Sequence, residues 1–329
     1  PATFTLVPTE TPTQTPTPSV TPTPSRTPTI TPTSVIDRAC PEFYFPIYNR
    51  NWLAADKWPS PNPNPETHLW FTRPLAPIGD RFLINTNFPY GFDGGVQGAL
   101  LLHNGVDVSQ DYGTPLLAVA DGVVVYAGAD LEARYGWRCD WYGKFVVILH
   151  DDEWLGEPVY SLYGHVQNII VEPGQRVFRA EQVAEVGSGG AAKVNHLHFE
   201  IRVGENDFFN SRNPLLWIAP ASGRGVLAGR IVDPRGRPWQ GISLILEPND
   251  PNLKRYQTWS YLGDPDNVAI PDEHLAENFV IGDMKAGSYT LHTIVQGANY
   301  RQDIFIEPGQ INTVEIVTGP FRTPTPSPP

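Results

Sequence analysis

The chain has 329 residues, 40% of them hydrophobic and 18% charged, which leaves room for two ordinary domains and a tail. Its net charge of −12 argues against a nucleic-acid partner and against electrostatic capture by an anionic membrane or wall. No apolar run reaches the ~18 residues of a membrane-spanning helix, no signal-peptide core is present, and the start at Pro1-Ala2 reads as processed or trimmed.

The chain begins with a segment that is not expected to fold. Residues 1–38 are a Thr/Pro alternation carrying many of the 35 prolines, and such a sequence cannot bury a core. At about 3.1 Å per residue this disordered stalk would reach roughly 100 Å, as a spacer from a surface. Residues 39–80 are aromatic and proline-rich without period, as in PEFYFPIYNRNWL, and read as an irregular leader packing on the next domain. From 81 to 220, strands are predicted at Leu116–Ala120, Gly122–Ala127, Phe145–His150, Val159–Tyr163 and Leu197–Val203, separated by Gly, Asp and Pro turns. No stretch of helical period interrupts them, so the domain is all-β. Residues 223–319 are again short strands and hairpin turns, expected as a β-sandwich. The phrases GRIVDPRGRPWQGISLIL and MKAGSYTLHTIVQG resemble prealbumin-like, carboxypeptidase-regulatory-like domains, which implies a structural or binding module whose partner is unknown. A Pro-rich tail, 320–329, repeats the composition of the stalk.

The chemistry lies among the histidines. In His103-Asn104-Gly105-Val106-Asp107 an imidazole and a carboxylate four apart can ligate one cation if the turn folds back, which Gly105 permits; alone the pattern is a weak signal, explained more readily by chance or ordinary turn chemistry. In NHLHFEIR, strand alternation places His196, His198, Glu200 and Arg202 on one face and Leu197, Phe199 and Ile201 on the other. Burying two imidazoles is costly unless they are used, although a solvent-facing edge strand would also accommodate them. His165 ends the apolar run YSLYG and, taken alone, reads as a structural rather than a functional histidine. Cys40 and Cys139 lack zinc–thiolate spacing; they are either a disulfide, in an oxidising compartment, or two unrelated buried thiols.

Together and in this order, these segments resemble the lysostaphin-like zinc endopeptidases, which cut peptidoglycan cross-bridges or stem peptides. The likeness covers about 97–217 and includes TPLLAVADGVV, GKFVVILH, VEPGQRV and the GSG stretch before NHLHFEIR. It implies an antiparallel β-sheet fold whose groove is floored by one Zn2+ per chain, held by His103, Asp107 and His198 with a fourth position open. It also implies that His165 and His196 flank the metal-bound water as acid, base or oxyanion donor. His150 matches a position where the family often has histidine without a catalytic role. Gly164 stands where alanine is common and Asn195 where proline is common; neither change removes a ligand or proton-transfer group.

The implied function is zinc-dependent hydrolysis of peptide bonds in peptidoglycan by an extracytoplasmic, secreted or cell-surface enzyme. The alternatives are a secreted zinc peptidase acting on proteins and a non-hydrolytic surface adaptor that retains the metal site. In the resembled family the connection at Leu131–Tyr142 borders the substrate groove. Tyr135, Trp137, Trp141 and Tyr142 are therefore expected to wall it, to pack against the leader at 41–58 with Cys139 bonded to Cys40, or to do both.

Overall fold

Period-two alternation of apolar and polar side chains gives sheet and turn; among the described residues the helical turns are 3-10, at Phe208–Asn210 and Pro214–Leu216. The computed structural model describes residues 38–40, 58–76, 84–94, 101–263 and 269–321. The stalk except Arg38, the leader from 41 to 57 and the tail beyond Phe321 lie outside the described residues. No helix among the described residues is long and apolar enough to cross a membrane.

Strands β1 (Val106–Ser109), β2 (Pro115–Leu117), β3 (Gly122–Ala129), β4 (Lys144–Trp154) and β5 (Glu157–Gly164) follow one another along the chain. After them come β6 (Val166–Gln167), β7 (Arg176–Val177), β8 (Gln182–Val186), β9 (His196–Val203) and β10 (Ser211–Arg212). The main sheet runs β1-β9-β5-β4-β3-β7, with β10 also on β9, and its pairings are antiparallel. A small second sheet is β2-β8-β6. The strand predicted over Leu116–Ala120 stops at Leu117, because the Ala118 backbone leaves the ladder to bond Glu181 and Ala180.

β9 lies between β1 and β5 and is buried along its whole length. Leu197, Phe199 and Ile201 enter the main core with Val106, Val146 and Tyr163, each contributing about 2 kcal/mol by burial. The opposite face carries His196, His198, Glu200 and Arg202, also buried, which rules out the solvent-facing edge strand.

The second half adds β11 (Arg224–Val232), β12 (Ser243–Pro248), β13 (Tyr256–Trp259), β14 (Phe279–Lys285), β15 (Gly287–Val295), β16 (Ala298–Ile306) and β17 (Ile311–Val317). These make two sheets, β14-β11-β17 and β13-β12-β15-β16, with β11 and β17 parallel. Leu227, Ile231, Trp239, Phe279, Tyr289 and Leu291 belong to their shared core. The core of the first half takes in Tyr261, Leu262, Leu275 and Val280 of the second, and the described parts of both halves belong to one compact unit. The described leader touches both halves: Phe71 bridges Ile218, Leu75 bridges Leu116, and Trp58 Nε1 donates to the Ala276 carbonyl at 3.0 Å. His68 is fully buried, bonded to Asp272 at 2.7 Å and stacked on Trp217 at 3.8 Å.

Glu277 lies beside that pair and accepts the Asp272 N–H and the Tyr261 O–H, each at 2.9 Å. Burial first, then the neighbouring Asp272, push its carboxyl up to about 8. The folded protein therefore keeps a proton that the unfolded chain loses near 4.5, so stability falls as pH rises from there toward 8. Glu277→Gln does not titrate and is expected to flatten that slope, gaining on the order of 3 kcal/mol over the native protein by about pH 8.5. Denaturant unfolding of both proteins across that range checks it; parallel profiles would refute the assignment.

Candidate metal centre

The register of β1 on β9 sets Asp107 directly opposite His198. His103 arrives on the connection before β1, where its carbonyl accepts the Gly91 N–H (2.8 Å) and its N–H donates to Phe92 (3.1 Å). Gly105 serves by being small: a Cβ there would lie 2.5 Å from the Phe199 carbonyl and 2.9 Å from the His198 ring.

The three side chains converge. His103 Nε2 is 3.0 Å from Asp107 Oδ1 and 3.1 Å from His198 Nδ1, which is itself 3.0 Å from the same oxygen. This triangle is close to one face of a metal tetrahedron, whose edges are about 3.3 Å for bonds of ~2.0–2.1 Å. Among the described residues no other group of His, Cys, Asp and Glu side chains is so arranged.

The remaining ring nitrogens are already engaged. His103 Nδ1–H donates to the Phe88 carbonyl at 2.7 Å, and the Phe88 ring stacks on it at 4.1 Å. His198 Nε2–H donates to Glu200 Oε1 at 3.1 Å. Glu200 also accepts the Tyr142 O–H and, at 2.8 Å, the Arg202 Nε–H. Nε2 of His103 and Nδ1 of His198 are thereby aimed at the triangle, the support that metal-ligating histidines use. Burial alone would lower His198, but Asp107 and Glu200 hold it up to about 9, so without an ion it carries a proton that a cation would displace. Burial would raise Asp107, yet His103 and His198 hold its carboxyl well below the usual range. Two nitrogens and one carboxylate oxygen fit a divalent metal ion.

His165 and His196 stand beside the triangle, their rings 4.8 Å apart, with His196 Nε2 3.6 Å from Asp107 Oδ1. His165 follows β5 with φ of 60°, a left-handed conformation that residues other than glycine adopt uncommonly. Its Nδ1–H donates to the Gly189 carbonyl at 2.8 Å, as His196 Nδ1–H does to Val194 at 2.8 Å. Burial, then the neighbouring imidazoles, push His165 down to about 3, and burial also lowers His196. Both rings are therefore neutral near neutrality, each with Nε2 as an acceptor.

The stretch carrying all five residues, 101–210, matches the profile of peptidase family M23. It is an M23 domain. Over 101 residues the chain is 39% identical to the lipoprotein NlpD/LppB homolog of Pseudomonas aeruginosa, covering 31% of this chain and 29% of that protein. Over 100 residues it is 35% identical to the murein hydrolase activator NlpD of Escherichia coli, covering 30% and 23%. The chain thus spans less than a third of the length of these relatives. Among solved structures, the catalytic domain of lysostaphin from Staphylococcus simulans aligns at 25% identity over 40% of this chain and 86% of that chain, with a TM-score of 0.32.

In the M23 domain a cleft of roughly 210 Å³ includes His103, Asp107, His165, His196 and His198 in its lining. A larger cavity of about 600 Å³, between Ile84–Pro89 and sandwich residues such as Tyr256, holds none of the five. Of the four aromatics expected to wall the groove, Trp141 lines the cleft and the other three do not. Packing claims them instead. Tyr142 is fully buried against Glu200, and Trp137 sits against Phe208 and Phe209. Tyr135 packs on Tyr126 and Phe145, with the Arg38 guanidinium 3.9 Å above its ring. Cys40 and Cys139 are joined as a disulfide, so the reading as two unrelated thiols falls. The leader aromatics expected against this connection lie, apart from Trp58, outside the described residues. His150 bonds Ser161 Oγ at 2.8 Å and the Asp121 carbonyl at 3.2 Å rather than joining the triangle. Sequence reasoning missed the carbonyls of Phe88, Gly189 and Val194, because a backbone acceptor has no residue signature. The Glu200-x-Arg202 pair after H-x-H was visible as same-face residues, without its supporting role.

Proposed function

We propose that this chain is a zinc-dependent endopeptidase that hydrolyses peptide bonds of peptidoglycan cross-links or stem peptides outside the cytoplasm. The observation carrying this is the convergence of His103 Nε2, Asp107 Oδ1 and His198 Nδ1 within 3.0–3.1 Å, beside two neutral imidazoles. Those three groups would hold one zinc ion and leave a fourth position open. What zinc supplies when bound is Lewis acidity, toward the attacking water and the scissile carbonyl alike. The chain's own groups do the rest. His165, tied through Nδ1 to Gly189, offers Nε2 to receive a proton from the attacking water. His196, tied through Nδ1 to Val194, is placed to stabilise the developing oxyanion or protonate the leaving amine; the two rings could exchange these tasks. Phe88, Leu101, Leu102 and Phe208 give the cleft apolar walls that exclude competing water. The disulfide suits an oxidising, extracytoplasmic compartment. We assign the peptidase domain to 81–220, the prealbumin-like sandwich to 223–319 and the leader to 39–80.

The name of the Escherichia coli relative favours a second reading, a non-hydrolytic activator of a separate murein hydrolase. Purified peptidoglycan and casein, digested side by side with and without a zinc chelator, separate the possibilities. Peptide release from peptidoglycan, lost on chelation and restored by about one equivalent of zinc, is expected. Cleavage of casein alone would move the substrate to protein. Cleavage of neither, with stimulation of an added murein hydrolase, would replace the enzyme by the activator.

The two tryptophans of the 131–142 connection are expected to behave differently. Trp141→Ala raises KM on polymeric substrate several-fold with little change in melting temperature, since Trp141 lines the cleft. Trp137→Ala costs about 3 kcal/mol of stability, since its ring is buried against Phe208 and Phe209. Steady-state kinetics and denaturant unfolding of both variants test the contrast.

A further inference from the structure

Beyond its histidines and Asp107, the cleft of the M23 domain is mostly apolar, with Phe88, Leu101, Leu102, Trp141, Val194 and Phe208 in its lining. Among its described lining residues, Lys193 is the one lysine or arginine. Lys193 is exposed and makes no hydrogen bond or ion pair with a described residue. Its backbone is nonetheless held on both sides. Ala191 N–H donates to the Trp141 carbonyl at 2.8 Å, and the Val194 carbonyl accepts His196 Nδ1–H at 2.8 Å. The Lys193 side chain thus starts from a fixed point, between one wall of the cleft and a candidate proton-transfer histidine. The chain as a whole carries −12, so an uncommitted ammonium at the reactive cleft is a local reversal of the molecule's own field. Low-dielectric walls focus such a charge on whatever enters.

We propose that Lys193 is a specificity-determining residue that holds a free carboxylate of the peptide substrate near the scissile bond. This rests on the endopeptidase reading and adds its substrate class: peptides with a carboxylate beside the cut. An ammonium presents three donors and a full charge, so it separates a carboxylate from the isosteric carboxamide by charge and not by shape. The carboxylate could belong to a side chain or to a chain end, and both meet the same chemistry.

Three peptides distinguish the sources: acetyl-Ala-Glu-Ala-Ala-amide, its Gln counterpart, and that Gln peptide ending in a free carboxylate. Calorimetry measures their binding to the zinc-loaded full chain, and mass spectrometry follows cleavage in parallel. One of the carboxylate peptides is expected to bind about fivefold tighter than the neutral one at low salt. The gap should shrink at about 0.5 M salt, vanish in Lys193→Gln and reverse in Lys193→Glu. Which peptide gains tells side chain from chain end. Equal affinity for all three, binding of none, or a gap that survives in Lys193→Gln would overturn the proposal. Affinity is read without turnover, so charge-selective binding with no cleavage keeps Lys193 and removes the endopeptidase reading, whereas cleavage with no charge preference does the reverse.

Discussion

Asp107→Ala and His198→Ala are expected to come out metal-free and inactive, whereas His165→Ala and His196→Ala keep the metal and lose about a hundredfold or more in rate. The division follows from where the atoms lie. Asp107 Oδ1 is 3.0 Å from both His103 Nε2 and His198 Nδ1, so removing the carboxylate or the His198 ring takes away one corner of the triangle. His196 pairs with Ser109, two residues along β1 from Asp107, and its Nε2 stays 3.6 Å from the carboxylate. His165 is held away from the triangle by Gly189. Metal analysis of the four purified variants, followed by rates on peptidoglycan, reads both halves of the expectation. A metal-free His196→Ala would mean that the two histidines of β9 trade roles.

Arg202→Ala is expected to destabilise the protein by about 3–5 kcal/mol and to weaken zinc binding roughly 10–100-fold. The Arg202 and Glu200 side chains are both fully buried and bonded to each other at 2.8 Å. Arg202 also donates to Tyr142 Oη at 2.9 Å and to Asn206 at 3.0 Å. Burial would raise the Glu200 carboxyl, but Arg202 and then His198 hold it below its ordinary value. Without the guanidinium, Glu200 becomes a buried charge with too few partners, and the acceptor that orients His198 loosens with it. Denaturant unfolding of the metal-free protein isolates the first effect, and a zinc competition titration isolates the second. The double variant Glu200→Leu/Arg202→Leu should recover part of the stability and none of the zinc affinity, because it removes the unpaired charge together with the acceptor on His198. A loss below about 1 kcal/mol in metal-free Arg202→Ala would show that the network relaxes around the missing side chain.

The all-β character, and the face shared by His196, His198, Glu200 and Arg202, are legible in the sequence alone. Alternation along a strand is a local property of extended backbone, and eight consecutive residues suffice to display it. The segments that meet at the triangle could be named for the same reason, since H-x-x-x-D and H-x-H are each short. Their meeting is another matter: His103 and His198 are 95 residues apart, and only the pairing of β1 with β9 brings them to 3.1 Å. The sequence marks Gly105 as a turn former, but the demand on it comes from Phe199 and the His198 ring across the sheet. Aromatic content could not tell Trp141 in the cleft from Trp137 and Tyr142 beneath it, because side-chain burial depends on which strands pass behind the connection. The bond between Cys40 and Cys139, 99 residues apart, was likewise one of two open readings until both ends were placed. The His68–Asp272 pair, which ties the leader to the sandwich, gave no signal, since neither residue sits in a pattern of its own. Periodicity is a property of the backbone and is written in neighbouring residues, whereas register and close packing join residues far apart in the chain and exist only once it has folded.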